Sequence, residues 1–336
     1  MFIIIVHQIL TLIMTRKIKV IEDNAQRNTS IERFNCHISG IENWESLTQN
    51  QYARNTLVAF KNDWNSFIDF CLENKVPALP ATAETVHRYI DRMSLKRKLA
   101  SLKRYLVTIS LVHRCHQLTD PCAHTEIRIE MKKQQSEKRN DCRNASAFRD
   151  EHLQKLIDIY ELSTKPKDVR DLAIWAVTFE AMLKRSELSA LTVESLYIHG
   201  NGLVNITVGD KVIELSSVSS KVLQRWLVVG LIYDSFVFRR IDRHGNIGDQ
   251  ALDHSSIYRV FRRASDELNM PSGHLFSGQS PRVGAAKDLA DSGLSVEDIQ
   301  EQGRWKSPAM PALYVGEKNR HEQELAKYRK TKPWEK

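Results

Sequence analysis

Residues 277–314 read SGQSPRVGAAKDLADSGLSVEDIQEQGRWKSPAMPALY. The Ser280-Pro281 step opens a helix, because proline at the first helical position gives up only an amide that has no partner there anyway. Arg282 follows, then Gly284, Ala285 and Ala286, small residues that let this helix and its positive N-terminal end approach another backbone closely. A phosphate suits such a place. Trp305 comes next, and a second short helix is expected to begin at Ser307 and carry Tyr314. A guanidinium, an indole and a phenol are thereby drawn into one neighbourhood.

Upstream, residues 170–191 are predicted as one long, mostly buried helix bearing Leu172, Trp175, Phe179, Leu183 and Leu188 at helical spacing. LVNITV and KVIEL (203–208 and 211–215) flank Gly209-Asp210, the signature of a tight hairpin with Lys211 at its tip. Helices are expected over 152–160, 219–227, 254–268, 281–291, 295–301 and 317–330. Helices around a small antiparallel sheet make residues 148–336 an α+β domain in a mostly α chain.

The first half is helical. Leu57, Phe60, Trp64, Phe67, Ile68 and Cys71 mark one apolar face, and Thr82 is placed to cap a second helix bearing Val86, Tyr89 and Ile90. A third is expected to bury Leu95, Leu99, Leu102, Leu106 and Ile109 and to present Lys96, Arg97, Lys98, Lys103 and Arg104. A basic face opposite a buried stripe can meet a phosphate backbone, or be simply a solvated face. A fourth helix, 126–135, runs into Lys132, Lys133, Lys138, Arg139 and Arg143. Residues 1–45 read as a mobile arm, 46–131 as a helical domain and 132–147 as a basic linker.

Across 336 residues the 42% hydrophobic and 27% charged content is that of a globular protein, and the net charge of +8 favours a polyanionic partner. Five cysteines without a CxxC fit a reducing compartment. His113, Cys115, His116, Cys122 and His124 have no common zinc-site spacing and read better as core or helix-end residues. The apolar opening MFIIIVHQILTLIM is too short to span a bilayer; translation is expected to start at Met14, the alternative being a short hydrophobic helix docked on a neighbour.

The sequence resembles the tyrosine recombinase (phage integrase) family, most closely its Cre-like branch. The family's His-x-x-Arg, small-residue helix, Gly-His or Gly-Trp pair and tyrosine are matched by Gln279-Ser-Pro-Arg282, 283–286, Gly303-Arg-Trp305 and Tyr314, without a gap. Its Thr-Gly-Leu-Arg-x-Ser-Glu-Leu box is matched by Ala181-Met-Leu-Lys-Arg-Ser-Glu-Leu188, with Lys184 where the first catalytic arginine stands and Arg185 as the reserve. The resemblance implies a core-binding domain that clamps double-stranded DNA, with Lys96, Arg97, Lys103, Arg104, Lys132, Lys133 and Arg139 as its phosphate contacts. It implies no cofactor and no metal, a homotetramer on two inverted-repeat sites, and a bacterial cytoplasmic setting at the nucleoid or a plasmid, without a membrane. A terminal helix over 317–328 is expected to dock on a neighbouring subunit.

The chemistry implied is transesterification at a DNA phosphodiester. Tyr314 attacks phosphorus, Arg282 grips the nonbridging oxygens, Lys211 protonates the departing 5′-oxygen, Trp305 packs the site and donates its indole N–H, and Glu187 fixes the cation at 184. Gln279 replaces the usual histidine and cannot titrate. Two departures, Lys184 and Gln279, leave open a relative that binds DNA and cuts poorly.

Overall fold

The computed structural model describes residues 18–138 and 145–316, which fall in two compact units divided between Arg143 and Asn144. That division lies inside the expected linker.

The first unit is all helix. Its described elements are α1 (Asn24–Phe34), α2 (Glu42–Thr48), α3 (Arg54–Asn74), α4 (Ala83–Ser94), α5 (Leu99–Cys115) and α6 (Thr125–Glu137). The apolar face of α3 is buried as its spacing requires, and the Thr82 hydroxyl accepts from the Thr85 amide at 3.1 Å to start α4. Residues 18–45, read as an arm, are instead folded. Asp23 caps α1, and Phe34, Ile38 and Trp44 are buried, with Phe34 against the Trp44 and Trp64 rings at 5.3 and 6.1 Å. So few apolar side chains, spread over two short helices, leave no periodicity to read. Two further expectations change. Leu95 is exposed and Lys96, Arg97 and Lys98 form the turn before α5 rather than a helix face, while Lys132 and Lys133 belong to α6, which continues to Glu137 and buries Gln134. Both ring nitrogens of His113 and of His116 are engaged in hydrogen bonds inside this core.

Near the start of the second unit the Phe148 ring packs edge-on against Phe179, Phe261 and Phe276. The elements of this unit are α7 (Asp150–Tyr160), α8 (Pro166–Glu180), α9 (Arg185–Ala190), β1 (Leu196–Ile198), β2 (Val204–Val208), β3 (Lys211–Glu214), α10 (Ser217–Val229), β4 (Arg239–Ile241), β5 (Ile247–Ala251), α11 (His254–Glu267), α12 (Ser280–Asp291), α13 (Val296–Gln302) and α14 (Ala309–Val315). Strands β1, β2 and β3 form an antiparallel sheet in that order, with Val208 opposite Lys211 across the predicted turn and Gly209 at φ +62°. A second hairpin, β4–β5, carries no alternating apolar pattern and was not expected. The fold is α+β, as the element pattern indicated.

The helix predicted over 170–191 is two. After α8 the amides of Met182 and Leu183 turn back to the carbonyls of Phe179 and Thr178, a Schellman closure whose left-handed residue is Met182 at φ +47°. Apolar periodicity runs straight through this break and hides it. The end of α13 closes in the same way: the amides of Arg304 and Trp305 reach Glu301 and Gln300, with Arg304 left-handed at φ +53°. Helix α14 begins at Ala309, two residues after the expected Ser307.

Candidate active site

Helix α12 can approach the start of the unit because Gly284 has no side chain: a Cβ there would lie 1.7 Å from the Phe148 carbonyl oxygen. The Phe148 amide donates to the Ser280 carbonyl at 3.0 Å. Residues 280–286 of this helix are all buried, Arg282 among them.

Arg282 is 2% exposed, and among the described residues no carboxylate lies within ion-pair distance of it. Its Nη1 donates to the Met182 carbonyl and its Nη2 to the Gly303 carbonyl at 2.6 Å. The Trp305 ring covers the guanidinium at 4.4 Å, a cation–π contact. Gly303 has to be glycine, since a Cβ there would sit 1.8 Å from that ring. Burial pulls the Arg282 pKa down to about 10. The Glu187 charge nearby offsets only part of this, and a buried cation with no carboxylate in contact is costly unless an anion arrives.

Tyr314 lies beside it on α14, buried, with its ring 5.9 Å from Trp305 in a T-shaped arrangement. Gln279 Nε2 donates to the phenol oxygen at 2.9 Å. Burial raises the phenol pKa, while the Gln279 hydrogen bond and the Arg282 charge pull it down. An amide donor to this oxygen favours the phenolate, the nucleophilic form.

Lys184 stands at the head of α9. Glu187 accepts from the Lys184 backbone amide through Oε2 and from Nζ through Oε1, each at 2.8 Å. Oε2 also accepts from Arg304 Nη2 at 3.0 Å, and the same nitrogen reaches the Met182 carbonyl at 3.1 Å. Although burial works to raise it, Lys184 and Arg304 hold the Glu187 carboxyl down to about 2. Arg304 escaped the sequence reading; the signal available was a long cation between Gly303 and Trp305, in a left-handed position that glycine usually takes. Arg185 is exposed, and its stem lies across Gly278, where a Cβ would meet its Cδ at 2.5 Å.

Lys211 opens β3, and its Nζ donates to Oε1 of Glu301 on α13 at 2.8 Å, a partner that raises its pKa. Lys211, Met182 and Arg304 all line one cavity of about 780 Å³.

Of the residues expected to contact DNA phosphates, Lys96, Arg97, Lys132 and Lys133 are exposed, and Lys133 lies 3.9 Å from Glu130. Lys103 is half-buried on α5. Arg104 is committed elsewhere: its Nε and Nη2 donate to Asp63 at 2.6 and 2.8 Å, and Asp63 is 3% exposed. Arg139 and the expected helix over 317–328 lie outside the described residues.

A model of the phage integrase family matches residues 147–321, the second unit with its tyrosine, arginine and lysine. The chain belongs to the phage integrase family. It is 26% identical over 303 residues to an integrase/recombinase xerD homolog of Selenomonas ruminantium, covering 83% of this chain and 88% of that one. It is 22% identical over 277 residues to the Cre recombinase of Escherichia phage P1, covering 74% and 80%. Among solved structures, XerH site-specific recombinase in a post-cleavage complex with a palindromic difH substrate aligns with a TM-score of 0.61 at 13% identity, covering 96% of this chain and 93% of that one. Among the described residues no helix is long and apolar enough to cross a membrane.

Proposed function

We propose that this tyrosine-type site-specific recombinase cuts and rejoins DNA with Tyr314 as its nucleophile and Arg282 as the principal clamp on the scissile phosphate. The observation that supports this most strongly is Arg282 itself, buried beside a buried tyrosine and with no carboxylate partner among the described residues. A phosphodiester supplies the missing anion, and a planar guanidinium can grip two of its oxygens.

In the reaction the Tyr314 oxygen bonds to phosphorus as the bond to the 5′-oxygen breaks. The product is a 3′-phosphotyrosyl link and a free 5′-hydroxyl. The phenol proton leaves to water, and the Lys211 ammonium, once released from Glu301, gives a proton to the departing oxygen. Gln279 steadies the developing charge on the tyrosine oxygen and takes no proton, since an amide does not titrate. Trp305 holds the Arg282 plane in place. Because the bond energy stays in the phosphotyrosine, a second 5′-hydroxyl can reverse the step on a new partner strand. On this reading the protein works in the cytoplasm on phage, plasmid or chromosomal DNA, as a homotetramer across two inverted-repeat sites.

The test uses two copies of an inverted repeat recovered from a random DNA pool by the Tyr314→Phe chain. Placed around a marker in direct orientation, they should lose the marker when the unmodified chain is expressed and keep it with Tyr314→Phe. Retention with both chains, on a site both bind, overturns the strand-transfer reading in favour of a DNA-binding one.

A further inference from the structure

Lys184 leaves the site one planar donor short of the family pattern, since an ammonium cannot make the paired parallel bonds of a guanidinium. We infer that Arg304 is a catalytic residue of the strand-transfer site, supplying beside Arg282 the guanidinium that position 184 lacks; the inference rests on the strand-transfer reading given above.

The structure supplies four independent observations. Arg304 and Arg282 donate to the same acceptor, the Met182 carbonyl, so the two guanidinium groups lie side by side. Glu187 is bound at once to Lys184 and to Arg304, which joins the cation at 184 and the guanidinium at 304 into one group. Arg304 sits at φ +53° in the left-handed place of a Schellman closure, where a side chain is strained and glycine is not. Its Nε is buried and has no hydrogen-bond partner among the described residues. Strain and an unfilled charged donor at the same residue go together with function more than with stability.

The donor set fits an anion with several oxygens. Arg282 spends both its described hydrogen bonds on carbonyls, and Arg304, whose Nη1 reaches the Gln302 carbonyl and whose Nη2 reaches Met182 and Glu187, has only its buried Nε without a partner among the described residues, so a phosphate reaches that donor once the side chain shifts. As the Tyr314–phosphorus bond forms and the bond to the 5′-oxygen breaks, Arg304 exchanges no proton. It neutralises charge on the nonbridging oxygens, the work that Lys184 alone does poorly.

Arg304→Gly is the informative variant, because glycine suits the left-handed backbone and the loop keeps its fold. Single-turnover cleavage is measured on a nicked duplex carrying the inverted repeat selected above, where loss of the short flap traps the phosphotyrosyl adduct. Arg304→Gly should cut ~100-fold more slowly or worse while still shifting the duplex, and Arg304→Lys should fall between. A second substrate carries a methyl group in place of one nonbridging oxygen at the scissile phosphate, so that the reacting group is neutral and needs one cation fewer. On it the deficit of Arg304→Gly should shrink at least tenfold. Lys184→Arg should also speed the Arg304→Gly chain more than it speeds the unmodified one. Cleavage by Arg304→Gly at the unmodified rate overturns the inference, as does an equal deficit on both substrates, which would make Arg304 a brace for the Met182 loop. Absence of any adduct from the unmodified chain removes the strand-transfer reading, and this inference with it.

Discussion

Three carboxylate and guanidinium residues show how charge is used in this chain. Glu187 has a folded pKa of about 2, below the unfolded value of about 4.3. Its contribution is therefore complete above pH ~4.3 and is lost as pH falls from there through the folded value, on the order of 3 kcal/mol in all. Glu187→Gln should be less stable than the unmodified chain at neutral pH, and urea titrations of the two should draw together as pH drops below ~4.3, with about half of the difference gone near pH 3. Parallel curves would mean that Lys184 and Arg304 do not hold this carboxylate. Arg104 behaves differently from its sequence reading. It neutralises Asp63, which burial pushes upward in pKa in spite of the ion pair. Arg104→Ala strands a buried carboxylate and should cost roughly 3 kcal/mol in chemical denaturation, with little change in the salt dependence of DNA binding. The basic run around Arg104 was readable from sequence, but its partner lies 41 residues away, and no local pattern encodes such a pairing.

At the scale of elements, what the sequence reveals and what it hides differ for physical reasons. The faces of α3 and α4 and the Gly209-Asp210 hairpin were legible, because each rests on a period or a turn chemistry contained in a few residues. So was the register from Gln279 to Tyr314, and the structure brings Gln279, Arg282, Trp305 and Tyr314 together. The break after α8 was not, since its left-handed residue is Met182 and not glycine. The family box quoted above has glycine at that place, which was the one available hint. Arg304 was missed for a related reason: its significance comes from a second Schellman closure facing the first. The small residues of α12 were read correctly as a close approach. Gly284→Ala forces a methyl group onto the Phe148 carbonyl and should destabilise the second unit by about 2 kcal/mol or more. Thermal unfolding checks this, and a melting temperature equal to that of the unmodified chain would count against the contact.

For the whole molecule, a net charge of +8 on a two-unit chain leads to a prediction about DNA binding as such. Affinity for the selected duplex should fall steeply with salt, with a log–log slope on the order of −5 or steeper, because released counterions follow the number of phosphates contacted. Lys96→Ala and Arg97→Ala, in the exposed turn before α5, should each make that slope shallower by about one. Arg282→Ala should scarcely change it, since one buried contact at the scissile phosphate adds little to the count.

Attack of Tyr314 on DNA is measured most directly by covalent capture. The unmodified chain is incubated with the nicked duplex and digested, and the DNA-linked peptide is sequenced by mass spectrometry. One 3′-phosphotyrosyl adduct is expected, located on Tyr314, absent from Tyr314→Phe and strongly reduced in Arg282→Ala. An adduct on any other residue, or none on a duplex that the chain binds, contradicts it.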